Sequence, residues 1–148
     1  DPERTQATRS ADGTMSTVGD VGYVDDEGFL YLTDRSTFMI ISGGVNIYPQ
    51  ECENLLVTHP QVADAAVFGV PNDDLGEEVK AVVQPMPGVV ADESFAKELI
   101  EFCQRHLASM KCPRTVDFTD ALPRLPTGKL YKKPLREKYW QAHPSRII

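Results

Sequence analysis

The stretch "VADAAVFGVPNDDLGEEVKAVVQP" (62–85) constrains the fold more than any other part of the chain. "VADAAVFGV" (62–70) is a run of small and β-branched residues of strand length, and Pro71-Asn72-Asp73-Asp74 closes it with turn formers. "EVKAVVQP" (78–85) then alternates as a second strand. Upstream, "FMIISGGVNIYPQECENLL" predicts a short buried strand over 38–41, a turn at Ser42-Gly43-Gly44, and a helix opened by Pro49. Cys52, Leu55 and Leu56 fall on one face of that helix. Downstream, Asp92 caps a helix running to about Ser109 that buries Phe95, Leu99, Phe102, Cys103 and Leu107. "TVDFT" (115–119) supplies a further strand, and residues 135–142 a terminal helix.

Ahead of this body, "VGYVDDEGFLYLT" (21–33) alternates around Asp25-Asp26-Glu27-Gly28, which predicts a hairpin. Residues 1–17 have no period and few large apolar side chains, so an irregular lead-in is expected. The order is hairpin, then β-α-β-β-α-β, then a loop and a helix. It predicts an α+β fold: a small mixed-sheet sandwich with the helices on one face.

Composition narrows the function. At 41% hydrophobic and 25% charged residues, the 148-residue chain has the make-up of an ordinary globular domain. No apolar run approaches the roughly 20 residues of a spanning helix, and nothing at the N-terminus reads as a signal segment, so a cytoplasmic protein with no membrane span is expected. Cys52, Cys103 and Cys112 are odd in number and lack a Cys-x-x-Cys pair, which suits reduced thiols. His59, His106 and His143 are scattered and read as helix-end or surface residues, so no protein-bound metal is expected. Net charge is -7, which argues against nucleic acid as a partner. Residues 105–138 nevertheless hold nine Lys or Arg against three acids. That patch suits a small polyanion such as a nucleotide phosphate. For Lys132, Lys133, Arg136 and Lys138 a solvated helix with salt-bridging side chains is an equal reading.

Inside this patch lies "ALPRLPTGKLYKK" (121–133), where Thr127, Gly128 and Lys129 interrupt three prolines with what reads as a flexible hinge carrying one ammonium. It is no Walker A loop: Pro123 occupies the first glycine position and Leu130 follows the lysine. Pro126 also removes a donor from any nest of amides, so Lys129 must act through its own charge. "ISGGVN" lacks the Gly-x-Gly-x-x-Gly of dinucleotide sites; its paired glycines mean a tight turn or the close approach of a ligand to backbone. Asp20, in "VGDVGY", reads as a turn residue, and Asp34-Arg35 as a surface pair worth under about 1 kcal/mol.

Taken in order, "VGD…GYVDDEGFLYLTDR…MIISGGVNIYPQECE…HPQVADAAVFGVPNDDLGEEVKA…LPRLPTGKLYKKPLRE" resembles the C-terminal part of the adenylate-forming enzymes. This superfamily comprises acyl- and aryl-CoA ligases, luciferase and peptide-synthetase adenylation domains. The resemblance runs from Gly19 to Leu135, and "MIISGGVNIYP" looks like the CoA-ligase branch, closest to fatty acyl-CoA ligases. It implies a carboxylic acid substrate activated with ATP and Mg²⁺ to an acyl-adenylate, then transfer of the acyl group to CoA after rotation of the small domain.

Residue by residue, the resemblance implies that Asp20 holds the ribose hydroxyls of ATP and that Arg35 lies near the same nucleotide. Thr37 stands at the hinge, where the family commonly has Asp or Lys. Gly43 and Gly44 match the loop lining the pantetheine tunnel, with Lys111 and Arg114 as candidates for the CoA nucleotide. Lys129 matches the catalytic lysine of adenylation. Val18 replaces the first residue of the usual Thr-Gly-Asp triplet, removing a hydroxyl near the ribose. The implied organisation is a remnant of the N-terminal domain over 1–18, a hairpin and approach to the hinge over 19–34, and a mobile C-terminal domain over 35–148. The large N-terminal domain, with its Mg²⁺-binding acid and acyl pocket, would be the partner, and the isolated chain is expected to be inactive. Two alternatives stand beside this: an adenylation domain that loads a carrier protein, and an interaction module without catalysis.

Overall fold

The computed structural model describes residues 2–142, with the side chains of residues 2, 4 and 33–36 outside that description; His143 lies outside it altogether. The chain forms two compact units, Asp1–Thr37 and Phe38–Ile148.

In the first unit the lead-in is not wholly irregular, because it holds a short helix α1 (Pro2–Ala7) and a bridge between Arg9 and Ser16. The hairpin follows as β1 (Asp20–Val24) and β2 (Leu30–Arg35), paired antiparallel. Its turn is built by Asp25, whose carboxylate accepts the Glu27 and Phe29 amides at 3.0 and 2.9 Å. These bonds, Phe29 first, hold the Asp25 carboxyl below its ordinary range. A bulge sits at Val21/Gly22. A Cβ on Gly22 would stand 2.4 Å from the Tyr31 carbonyl oxygen, so the strands can close only over glycine.

The second unit is the α+β sandwich. Its elements are β3 (Ile40–Ser42), β4 (Val45–Ile47), α2 (Pro49–Leu56), β5 (Val62–Asn72), β6 (Gly76–Pro85), α3 (Glu93–His106), β7 (Thr115–Phe118) and α4 (Lys132–Gln141). The sheet runs β4-β3-β6-β5, with β7 lying parallel against β6 and every other pair antiparallel. The stretch 62–85 is a long β5–β6 ladder, from Val62↔Pro85 to Asn72↔Gly76, with a register shift between Val62 and Asp64.

The helices occupy both faces, not one. Ala65, Val67, Val79, Ala81 and Val83 point into one core with Leu56 of α2 and Leu99 of α3. Ala66, Phe68, Val70 and Val82 point the other way, into a smaller core closed by Leu122, Leu130 and, from α4, Leu135 and Tyr139. Strand residues alternate between faces, so a nearly continuous buried run such as 65–70 requires cover on each side.

Several boundaries shift for local reasons. Residues 36–38 form a 3₁₀ turn, so β3 starts at Ile40, and β4 extends the sheet past the glycines. α3 stops at His106. α4 begins at Lys132 rather than Leu135, since Pro134 lies in its first turn, where no amide donor is needed. No helix among the described residues is long and apolar enough to cross a membrane.

Cys52, Cys103 and Cys112 are free thiols buried in the larger core, and Cys52 Sγ lies 3.9 Å from Cys103 Sγ. Contact with Cys103, together with burial, pushes the Cys52 thiol far up. In a titration with Ellman's reagent all three thiols should stay silent in the folded protein and react promptly in denaturant. Fast reaction of any of them under native conditions would contradict this core.

Candidate functional site

Lys129 is carried by a closed turn, not by a flexible hinge. The Gly128 amide donates to the Leu125 carbonyl at 2.8 Å, the Leu125 amide to the Lys129 carbonyl at 2.9 Å, and the Tyr131 amide to the Pro123 carbonyl at 2.8 Å. Pro126 presets φ inside this turn, and Gly128, at φ 83°, supplies the left-handed residue that brings the chain back. Arg124 braces it from within: one guanidinium nitrogen donates to the Gly128 carbonyl at 2.6 Å and the other pairs with the Asp64 carboxylate. Lys129 itself is exposed at the end of this frame.

The downstream stem is anchored in the protein interior. Lys132, three residues past Lys129, was expected on a solvated helix or in a phosphate patch; its side chain is only 6% exposed. Its ammonium donates to Glu53 Oε1 at 2.9 Å and lies 4.6 Å from the centre of the Phe38 ring. The same carboxylate oxygen accepts the Val67 amide at 2.7 Å. Arg136 pairs with Glu77 at 2.9 Å, and Lys133 with Glu137 at 3.7 Å. The signal for Lys132 and Glu53 was their spacing. Glu53 sits on the buried face of α2 with Pro49, Cys52 and Leu56, and Lys132 precedes Leu135 and Tyr139 at i+3 and i+7.

Gly43 and Gly44 form the two-residue turn between β3 and β4, at φ 56° and 79°. Two successive positive φ values match the twist of a tight hairpin and favour glycine. The Gly43 amide is held by the Leu75 carbonyl at 2.8 Å. Next to this turn opens a cleft of about 670 Å³, lined by Ser42, Gly43, Ile100, Met110 and Arg114 among others. The structure thus brings Gly43 and Arg114 together. Lys111 is not among the lining residues; its ammonium bonds Glu51 at 2.6 Å and ties the 3₁₀ turn Ser109–Lys111 to α2.

The cleft and the lysine belong to opposite faces of one sheet. Val79, Ile100 and Cys112 of the cleft pack with the larger core, whereas Leu130, beside Lys129, packs with the smaller one. In the first unit, Asp20 and Arg35 are register partners across β1 and β2. The Arg35 side chain lies outside the described residues. Thr37 is exposed and is the last residue of that unit.

Residues 51–129, from the helix of Glu53 to Lys129, match the AMP-binding enzyme C-terminal domain. The chain belongs to that family. A methyl-dioxo-octahydroindenyl-propanoyl:CoA ligase of Rhodococcus jostii is 48% identical over 138 residues, covering 93% of this chain and 26% of that protein. The long-chain-fatty-acid–CoA ligase FadD13 of Mycobacterium tuberculosis is 45% identical over 144 residues, 95% of this chain and 27% of its own length. Among solved structures, ATP-bound MatB from Rhodopseudomonas palustris superposes with a TM-score of 0.83 at 37% identity, over 93% of this chain and 27% of that one. The chain therefore spans about a quarter of the length of these family members.

Removing one partner of a buried ion pair strands the other charge, at a cost of about 3–5 kcal/mol. Urea denaturation of Lys132→Met should show a loss of that order. Lys133→Met, on the exposed neighbour, should stay within about 0.5 kcal/mol of wild type.

Proposed function

We propose that this chain is the C-terminal part of an ATP-dependent acyl-CoA ligase, working with a larger N-terminal domain. Such an enzyme joins a carboxylic acid to AMP, releases pyrophosphate, and passes the acyl group to the thiol of CoA. Fatty acids are the substrate class that the likeness to FadD13 favours.

The observation that carries this reading is the placement of Lys129 and the Gly43 cleft on opposite faces of one sheet. One orientation of a rigid unit cannot present both to the same acyl group. Two orientations can, with Lys129 serving adenylation and the cleft serving thioester formation. The chain divides into its two compact units after Thr37, which supports a turn of the backbone there.

The chemistry of each residue fits its part. Lys129 is an exposed ammonium on a braced turn, suited to bridging a substrate carboxylate and the α-phosphate as charge gathers on phosphorus. Asp20 accepts the two ribose hydroxyls, and Arg35, its register partner, supplies a fixed cation beside the nucleotide. The Gly43–Gly44 turn lets a pantetheine arm run close to backbone, and Arg114 offers a cation to the phosphates of CoA at the same cleft. Lys111 is engaged with Glu51 and is the weaker candidate. Magnesium accompanies ATP and is held by residues outside this chain.

The test uses the full-length enzyme, wild type against Lys129→Ala. Acid-dependent ATP–pyrophosphate exchange should fall by at least about a hundredfold, the scale of losing one preorganised electrostatic contact. Transfer of the acyl group from supplied acyl-adenylate to CoA should persist within a few-fold. If exchange survives at the wild-type rate, the assignment of Lys129 is wrong.

A further inference from the structure

We infer that Glu53 and Lys132 are positioning residues for Lys129, and that their buried pair exists to hold the Lys129 turn at a fixed place on its unit. The inference deepens the reading of Lys129 as the adenylation lysine and rests on it.

The path from the lysine to the sheet is short. α4 begins at Lys132, three residues after Lys129, so a shift of this helix end moves the turn. Lys132 bonds Glu53 at 2.9 Å, and Glu53 accepts the Val67 amide of β5 at 2.7 Å. On the other stem, Arg124 grips the Gly128 carbonyl and the carboxylate of Asp64, also on β5. Both stems are therefore fastened to one strand, three residues apart. The Lys132 ammonium also lies against the ring of Phe38, the first residue of the second unit. The turn and the start of the unit that would rotate share one anchor.

The Val67 amide needs a buried acceptor at position 53, but a neutral one would serve it, so stability alone gives no reason for charge at this place. Apolar residues of similar volume hold buried sites as well or better, and α4 already packs through Leu135 and Tyr139. What an apolar contact lacks is direction. A charge-assisted hydrogen bond sets both a distance and an angle for the group it holds. A catalytic lysine needs that, because a misplacement of about 1 Å costs on the order of a hundredfold in rate.

The experiment compares wild-type full-length enzyme with the double variant Glu53→Gln/Lys132→Met, and with Lys132→Arg. The double variant removes both charges, retains an acceptor for the Val67 amide and keeps the buried volume, so it is built to fold. Two readouts are taken: the rates of the two half-reactions, and hydrogen exchange at the Leu125, Gly128 and Tyr131 amides that close the turn. In the double variant, kcat for adenylation should fall about tenfold to a hundredfold with little change in KM for ATP. Acyl transfer to CoA should stay within about twofold, and the three amides should exchange at least about tenfold faster. Lys132→Arg, which keeps a charged donor for Glu53, should retain adenylation within a few-fold of wild type. Equal loss in both half-reactions, with faster exchange throughout the β5–β6 ladder, would mean that the pair only stabilises the fold and would overturn the proposal. So would a double variant that keeps both adenylation and turn protection. Lys129→Ala in the same assays separates the two layers: if it leaves adenylation intact while the double variant still frees the three amides, the anchoring stands and the catalytic role falls.

Discussion

The second unit depends on how the open edge of β5 is closed. Among the described residues β5 is the last strand of the sheet, paired with β6 on one side only, and the apolar cores on its two faces shut out water. Its outward backbone groups must therefore find partners within the protein. They do so at alternate residues: the Ala65 amide donates to Asp64 Oδ1, the Val67 amide to Glu53, and the Gly69 carbonyl accepts the Trp140 indole N–H at 3.0 Å. Acceptors come from β5 itself and from α2 on one face, and the donor from α4 on the other. The edge is where the two helical layers meet.

Once Glu53 is committed to the Val67 amide, its charge calls for a cation in the same dry place. Lys132 supplies it, and the first turn of α4 is pinned as a result. Glu77 repeats the device nearby: its carboxylate accepts the Ile41 amide of β3 at 2.9 Å and the Arg136 guanidinium at 2.9 Å. One carboxylate thus ties α4 to the strand that leads into the Gly43 turn. A second contact, at 4.8 Å between the buried Lys80 ammonium and the Tyr139 ring, holds the same helix lower down. α4 is poor in apolar residues, and polar bonds do much of its docking.

This division explains what was legible in the chain. The ladder of 62–85, the hairpin around Asp25, the Asp92 cap and the glycine turn at 43–44 each follow from a few adjacent residues, and each is present. The second covered face was also written in "AAVFGV", whose apolar residues do not alternate with polar ones. What escaped were pairings between distant residues. Nothing near Lys132 names Glu53, which is 79 positions away. Lysine and glutamate usually lie on the surface, so neither residue type by itself points to burial. Placing both on apolar helical stripes would have predicted a buried acid and a buried base in need of one another. At the Lys129 turn composition misleads for a different reason. Thr127 and Gly128 suggest looseness by composition, whereas Pro126 followed by a left-handed Gly128 is the recipe for a closed turn.

A lysine that must reach a substrate cannot be immobilised by burial, since burial would take it away from the substrate. Fixing it requires contacts that act at a distance from its tip and still define its direction. The turn meets this condition through its stems, with Arg124 and Asp64 on one side and Lys132 and Glu53 on the other. The exposed pair tolerates solvent screening and contributes alignment more than energy. The buried pair escapes screening and makes the alignment hard to lose. Between them Lys129 stays exposed while both stems of its turn are tied to the β5 edge.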